Sequence, residues 1–97
     1  MPAAYVVFLK EAVHDEEELA RYQAAVGGTF AGHPVEFLAT YGEQEMLEGA
    51  PVDGVVLLKF PDLDAARRWY RSPEYQAAAS HRFKGATYRA VIVAGRD

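Results

Sequence analysis

Alternating apolar side chains open the chain. From Ala4 to Lys10, Tyr5, Val7 and Leu9 fall on one side of an extended strand, and Val6 and Phe8 fall on the other. An acidic run, His14-Asp15-Glu16-Glu17-Glu18, suits the start of a helix, where the macrodipole favours negative charge. Leu19, Tyr22, Val26 and Phe30 then recur at three- and four-residue steps, which predicts a helix with one apolar stripe. Gly27 and Gly28 weaken that helix, and Gly32 with Pro34 ends it. Alternation resumes from Val35 to Tyr41, with Val35, Phe37, Ala39 and Tyr41 opposed to Glu36, Leu38 and Thr40. Gly42 predicts a bulge or bend, with Glu43 to Glu48 continuing extended. The loop residues Gly49 to Gly54 return the chain as a hairpin. Val55 to Phe60 is an apolar strand interrupted by Lys59, and Tyr88 to Ala94 is a last strand in which Ala90 and Ile92 oppose Val91 and Val93.

Between those last two strands, FPDLDAARRWYRSPEYQ holds two helix starts. Asp62 can accept orphan N–H groups of the first helix, and Asp64 adds negative charge to its opening turn. Leu63, Ala66, Trp69 and Tyr70 share a side of that piece. Ser72-Pro73-Glu74 restarts the helix with a capping hydroxyl, a proline where no N–H is needed, and an acid. The order strand, helix, strand, strand, helix, strand is the α+β, ferredoxin-like β-α-β-β-α-β arrangement, an antiparallel sheet with its helices on one face. Two helices cover one face of such a sheet, yet the strands are apolar on both. The uncovered face therefore needs a partner, and a symmetric homodimer stacking sheet on sheet supplies it; a monomer with ordinary surface hydrophobics is the alternative. Alternation alone does not say which face is uncovered, so Val7 and Ile92 are both candidates for it.

Composition narrows the class. Ninety-seven residues, 51% hydrophobic and 25% charged, make one domain, 1–97, of globular composition. The net charge of −4 argues against a nucleic-acid partner. Arg67, Arg68 and Arg71 cluster on one helix beside acids and read as a solvated face. With no cysteine there is no disulfide, thiolate zinc site or cysteine nucleophile, which fits a reducing cytoplasm. No apolar stretch is long enough to span a membrane, and the N-terminus reads as a strand rather than a signal peptide, so the expected location is cytoplasmic with no membrane partner.

The series VVLLKFPDLDAARRWYRSPEYQ, followed by His81-Arg82 and a final strand ending at Gly95, closely resembles the family catalogued as domain of unknown function 1330. Gly32-His33 through Phe37-Leu38-Ala39 to Leu47-Glu48-Gly49 is similar too, so the resemblance spans nearly the whole chain. It implies the dimeric α/β-barrel fold, whose superfamily also houses small cofactor-free monooxygenases, isomerases and dye- or haem-processing enzymes. Two positions depart from the family: Lys59 stands where members often carry an acid, and Thr40-Tyr41-Gly42 where they often carry an arginine and paired glycines.

Candidate chemistry is sparse. His14, His33 and His81 lack the spacing of a metal site, so no metal and no cofactor is expected. Ser72 has no nucleophile elbow around it, and Gly27, Gly28 and Gly32 close a helix instead of opening one as a phosphate loop does. Trp69, Tyr75, His81 and Arg82, with Tyr41 and Tyr88 as neighbours, are the remaining group. Tyr75 and Arg82 lie two turns apart on one helix face. An aromatic wall with one arginine suits a small anionic or aromatic ligand, and His81 is the candidate acid–base. The alternative is that Trp69 and Tyr75 are packing residues and Arg82 pairs with Glu74 or Glu48. Lys59 either snorkels to the sheet edge or projects into a cavity. Three functions follow: a homodimer binding a small organic ligand between sheet and helices, a cofactor-independent monooxygenase or isomerase on an aromatic or lactone substrate, or an interaction module with no pocket.

Overall fold

The computed structural model describes residues 2–96. Strand β1 (Ala4–Val13) lies between β3 (Gly54–Phe60) and β4 (Ala86–Ala94), and β2 (Glu36–Thr40) pairs outside β3. The sheet order is β2-β3-β1-β4 with every pair antiparallel, the ferredoxin-like arrangement expected. Helices α1 (Glu16–Val26), α2 (Leu63–Tyr70) and α3 (Pro73–Gly85) complete the α+β fold.

Each helix starts at a side-chain cap. The Asp15 carboxylate accepts the Glu17 and Glu18 N–H groups of α1. Asp62 accepts from Ala65 at 2.8 Å in α2. The Ser72 hydroxyl accepts the Tyr75 N–H at 3.1 Å and donates to the Trp69 carbonyl at 2.7 Å, so one side chain joins the end of α2 to the start of α3. The α-helix stops at Val26, and Gly27 and Gly28 begin a tighter 3-10 turn, Gly27–Phe30, which swings Phe30 back over the sheet.

Two expectations along the chain are corrected. Residues 43–48 form no strand: Glu43, Glu45 and Glu48 are exposed and no strand faces them. The irregularity in β2 sits at Leu38 rather than Gly42. Phe37 pairs with Leu58 and Ala39 with Leu57, so these two residues lie on opposite faces instead of sharing one.

Directly opposed residues share a face, so the register assigns both sides of the sheet. Val6 with Leu58 and Ile92, and Phe8 with Val56 and Ala90, lie beneath the helices. Tyr5 with Lys59 and Val93, and Val7 with Leu57 and Val91, lie on the other side, where no helix packs. Val91 is 56% exposed and Val93 49%. Val7 is therefore on the open face, whereas Ile92 is on the helix face and packs against the core. Lys59 stands on the open face opposite Tyr5 and Glu36, an arrangement that places its charge beside an acid.

The core is the helix-side layer. Val6, Leu58, Phe60, Trp69 and Tyr75 are its largest fully buried side chains. Helices α1 and α3 meet at Gly85, whose carbonyl accepts the N–H groups of His14 and Asp15 at 2.7 and 3.0 Å. A Cβ on Gly85 would stand 2.6 Å from the Leu19 amide nitrogen, so only glycine permits this approach. Gly85→Ala should therefore destabilise the fold by about 1–3 kcal/mol, despite alanine's better helix propensity. The check is urea unfolding, read as a lower midpoint at unchanged slope.

Candidate functional site

Trp69 is fully buried where α2, the 3-10 turn and the sheet converge. Its indole stacks on Phe30 at 4.8 Å and 11° and meets Phe60 at 5.7 Å and Tyr75 at 4.2 Å. Its Nε1 donates to the Thr29 hydroxyl at 3.1 Å, and that hydroxyl donates to the Val26 carbonyl at 2.6 Å. A buried indole N–H left unpaired would cost one or more kcal/mol, so this chain of bonds fixes the ring's orientation.

Beside Trp69 lies a cavity of about 220 Å³ between the helix side of the sheet and α1. Phe8 and Leu58 form its floor, Tyr22 and Phe30 its helical wall, and Tyr41 and Tyr88 its rim. A larger recess of about 480 Å³ runs between α2 and β4, but exposed Arg67, Arg71 and Val91 border it and no buried polar group does. The smaller cavity is the better candidate because its apolar lining meets the buried Tyr22 and the Tyr41 and Tyr88 hydroxyls at its rim.

Two tyrosine pairs line or back this cavity. The Tyr22 and Tyr75 hydroxyls bond to each other at 3.0 Å, with their rings edge-on at 6.2 Å. The Tyr41 and Tyr88 hydroxyls bond in the same way at the rim. Burial, reinforced by Tyr75, pushes the Tyr22 phenol far above its ordinary value. Burial, reinforced by the bond to Tyr41, does the same for Tyr88. Burial also raises Tyr75, although the Arg82 cation pulls against it. Tyr22, Tyr75 and Tyr88 are therefore neutral phenols at physiological pH.

Tyr41 is held at some cost. Its φ of 57° is left-handed, unusual for a residue with a bulky side chain. Its N–H donates to Val55 O at 2.9 Å, and its ring lies across Gly54, where a Cβ would stand 2.4 Å from Tyr41 Cδ1. The Lys10 ammonium sits over the same ring, 4.7 Å from its centroid.

Arg82 is 3% exposed. Its guanidinium carbon lies 5.3 Å from the Phe8 centroid, 5.7 Å from Tyr22, 5.0 Å from Tyr88 and 4.9 Å from Phe83. Its Nε makes no hydrogen bond, and no carboxylate among the described residues pairs with it. The expected alternative, a salt bridge to Glu74 or Glu48, is absent among the described residues. The cation is held by aromatic faces instead.

The residues singled out in the sequence thus divide by position. Tyr41, Trp69 and Tyr88 line the cavity. Tyr75 and Arg82 stand behind its wall, on one face of α3 as their spacing implied. Trp69 and Tyr75 are also core packing, so the two readings of them coexist. His81 lies elsewhere: its Nδ1 meets Glu18 Oε2 at 2.8 Å across α1 and α3, outside the cavity. Sequence reasoning missed Tyr22, which read as one more apolar position of the α1 stripe. The phenol in that stripe was the available signal. Among the described residues no group of three or more acids and histidines could hold a metal ion. No helix among them is long and apolar enough to cross a membrane.

A family model described as "Domain of unknown function (DUF1330)" matches residues 3–96. No curated protein matches the chain. Among solved structures, a protein of unknown function from Rhodopseudomonas palustris is 18% identical with a TM-score of 0.74, over 99% of this chain and 84% of that one. SnoaB, a cofactor-independent oxygenase from Streptomyces nogalater, is 18% identical with a TM-score of 0.65, over 100% and 96%. A dimeric protein of unknown function and ferredoxin-like fold from Bacteroides fragilis is 17% identical with a TM-score of 0.62, over 96% of each chain. At these identities the likeness shows the fold.

The contact between α1 and α3 carries a pH dependence. The His81 hydrogen bond holds the Glu18 carboxyl below its ordinary value against a burial penalty, and Arg21 assists. A carboxyl depressed in the folded state stabilises above its unfolded pKa and ceases to do so as pH falls through the folded value. Glu18→Gln should therefore lower the urea midpoint at neutral pH, and the gap to the parent protein should close in acid. Unfolding titrations of both proteins at neutral and acid pH check this.

Proposed function

The chain belongs to the DUF1330 family, and we propose that it acts as a homodimer that binds a small aromatic molecule in the cavity between sheet and helices. The observation that carries the binding reading is the cavity itself, apolar on its floor, walled by Trp69, Tyr22 and Phe30, and rimmed by paired tyrosines. Aromatic faces give a planar ligand area at little entropic cost, and a few hydroxyls fix its orientation.

The open sheet face supports the dimer. Tyr5, Val7, Leu9, Val55, Leu57, Val91 and Val93 form a continuous apolar surface with no helix over it. Soluble monomers rarely leave such a patch uncovered, and a second copy offers a self-complementary one. Burying several hundred Å² at about 25 cal/mol per Å² contributes several kcal/mol before the costs of association. The solved relatives described as dimeric share the fold and are consistent with this reading.

A second reading, a cofactor-independent oxygenase, is favoured by one observation: the fold likeness to SnoaB extends over the full length of this chain. In that reading the tyrosines and Arg82 beside the cavity handle protons and charge, because His81 is engaged with Glu18 outside it. Oxygen uptake on supplying a bound aromatic separates enzyme from binder.

Two outcomes test the proposal. Titrating the protein with 4-nitrotoluene should quench fluorescence of the sole tryptophan, Trp69, along a saturable curve, and Val56→Phe, which fills the cavity, should abolish the saturable part. A strictly linear quench, identical in both proteins, would sink the binding reading. Light scattering should give a two-chain mass for the parent protein and a one-chain mass for Val91→Asp, which buries a carboxylate in the open-face contact.

A further inference from the structure

Hydrogen-bond accounting around the cavity does not balance. In each tyrosine pair two hydroxyl protons face one mutual bond, so one proton of each pair has no acceptor among the described residues. Arg82 adds five N–H donors. Its Nε is buried and has no hydrogen-bond partner, while the Tyr75 hydroxyl lies beside the guanidinium. Unmatched donors are costly in a buried setting, which here holds for the Tyr22–Tyr75 pair and Arg82 Nε, whereas the Tyr41–Tyr88 pair stands open to solvent at the rim. The deficit is entirely of acceptors.

Charge points the same way. Arg82 lies against the Phe8, Tyr22 and Tyr88 rings that line the cavity, and itself borders a separate recess beside Phe83 and Thr87. Lys10 stands over Tyr41 at the rim. Neither cation has a carboxylate partner among the described residues, in a chain whose net charge is −4. Glu18 of α1, which meets α3 through His81, is already held by Arg21 and His81. Two uncompensated cations beside surplus O–H donors make a local positive site in an acidic protein.

We infer that the cavity takes its ligand as an oxyanion, a phenolate or enolate on an aromatic body, with tyrosine hydroxyls donating to the anionic oxygen and Arg82 and Lys10 balancing its charge. This rests on the binding reading above and adds the ionisation state and chemical class of the ligand. A planar body fills the apolar floor, and the oxygen meets the donor side at Tyr22 and at the Tyr41–Tyr88 rim. Neutral aromatics bind through the floor alone and leave the donors unmatched, so the site discriminates in favour of the ionised form.

The probe is 4-nitrophenol, whose phenolate absorbs visible light and whose neutral form does not. Its ionisation is followed in free solution and with the protein in excess, with non-ionising 4-nitrotoluene as a reference ligand. The expected result is that bound 4-nitrophenol ionises about 1–3 pH units below the free probe, as beside an opposite charge. Arg82→Met should remove more than half of that shift. Lys10→Met, at the rim, is the second variant should Arg82→Met fail to fold, and it should reduce the shift. A bound probe whose ionisation is unchanged or suppressed overturns the inference while leaving the cavity reading in place. Uptake of 4-nitrotoluene without uptake of 4-nitrophenol overturns it equally. If neither compound binds, the cavity reading fails and the inference with it.

Discussion

A sheet that is apolar on both faces, with helices enough for only one, is the constraint behind the rest of this structure. The face carrying Val6, Phe8, Leu58, Phe60 and Ile92 receives the helices and becomes the core. The face carrying Val7, Leu57, Val91 and Val93 receives nothing. Because the side-chain period of a strand is two, a slip of one residue would exchange these sets. Apolar residues on both faces make such a slip cheap in burial, so the register must be held elsewhere. The caps and close contacts do this: Gly85 carbonyl to His14 and Asp15, Tyr41 N–H to Val55, and Ser72 between the two C-terminal helices.

On the covered face the packing is arranged around Trp69. Its stack with Phe30 and Phe60, and its bond to Thr29, draw the 3-10 turn and α2 onto the sheet. A full close-packing there would leave no room for a ligand. Instead the chain ends α1 in a 3-10 turn and places Tyr41 in a left-handed conformation over Gly54, and the space between them stays open. Strain and unmatched donors thus occur at the same place. Each alone has structural explanations; their occurrence around one cavity is what the proposed binding function rests on.

Much of the architecture was legible because local signals were strong and redundant. Ser72-Pro73-Glu74 announces a helix by hydroxyl, ring and charge at once, and β1 is a continuous apolar run from Ala4 to Leu9. The element order then leaves few topologies. Face assignment was not legible, since Val91 and Ile92 are equally apolar and only the register with Val7 and Val6 tells them apart. The loop after Tyr41 resembled a strand in its spacing, but its acids have no strand facing them. Of the cavity lining, Tyr41, Trp69 and Tyr88 were singled out by residue type and order, and Arg82, outside that lining, by its helical phase with Tyr75. Tyr22 was hidden by its own stripe. The His81–Glu18 contact joins residues 63 apart, a distance over which one sequence carries no pairing signal.

The central claim is that one sheet face is closed by a second copy while the other keeps an open, donor-rich cavity. A crystal structure of the purified protein soaked with 4-nitrophenol tests both halves in one measurement. The expected result is two chains joined through Val7, Leu57 and Val91, with the probe against Trp69 and its oxygen toward Tyr22 or the Tyr41–Tyr88 pair. A cavity filled by its own side chains, with the Val91 face bare to solvent, would contradict the account.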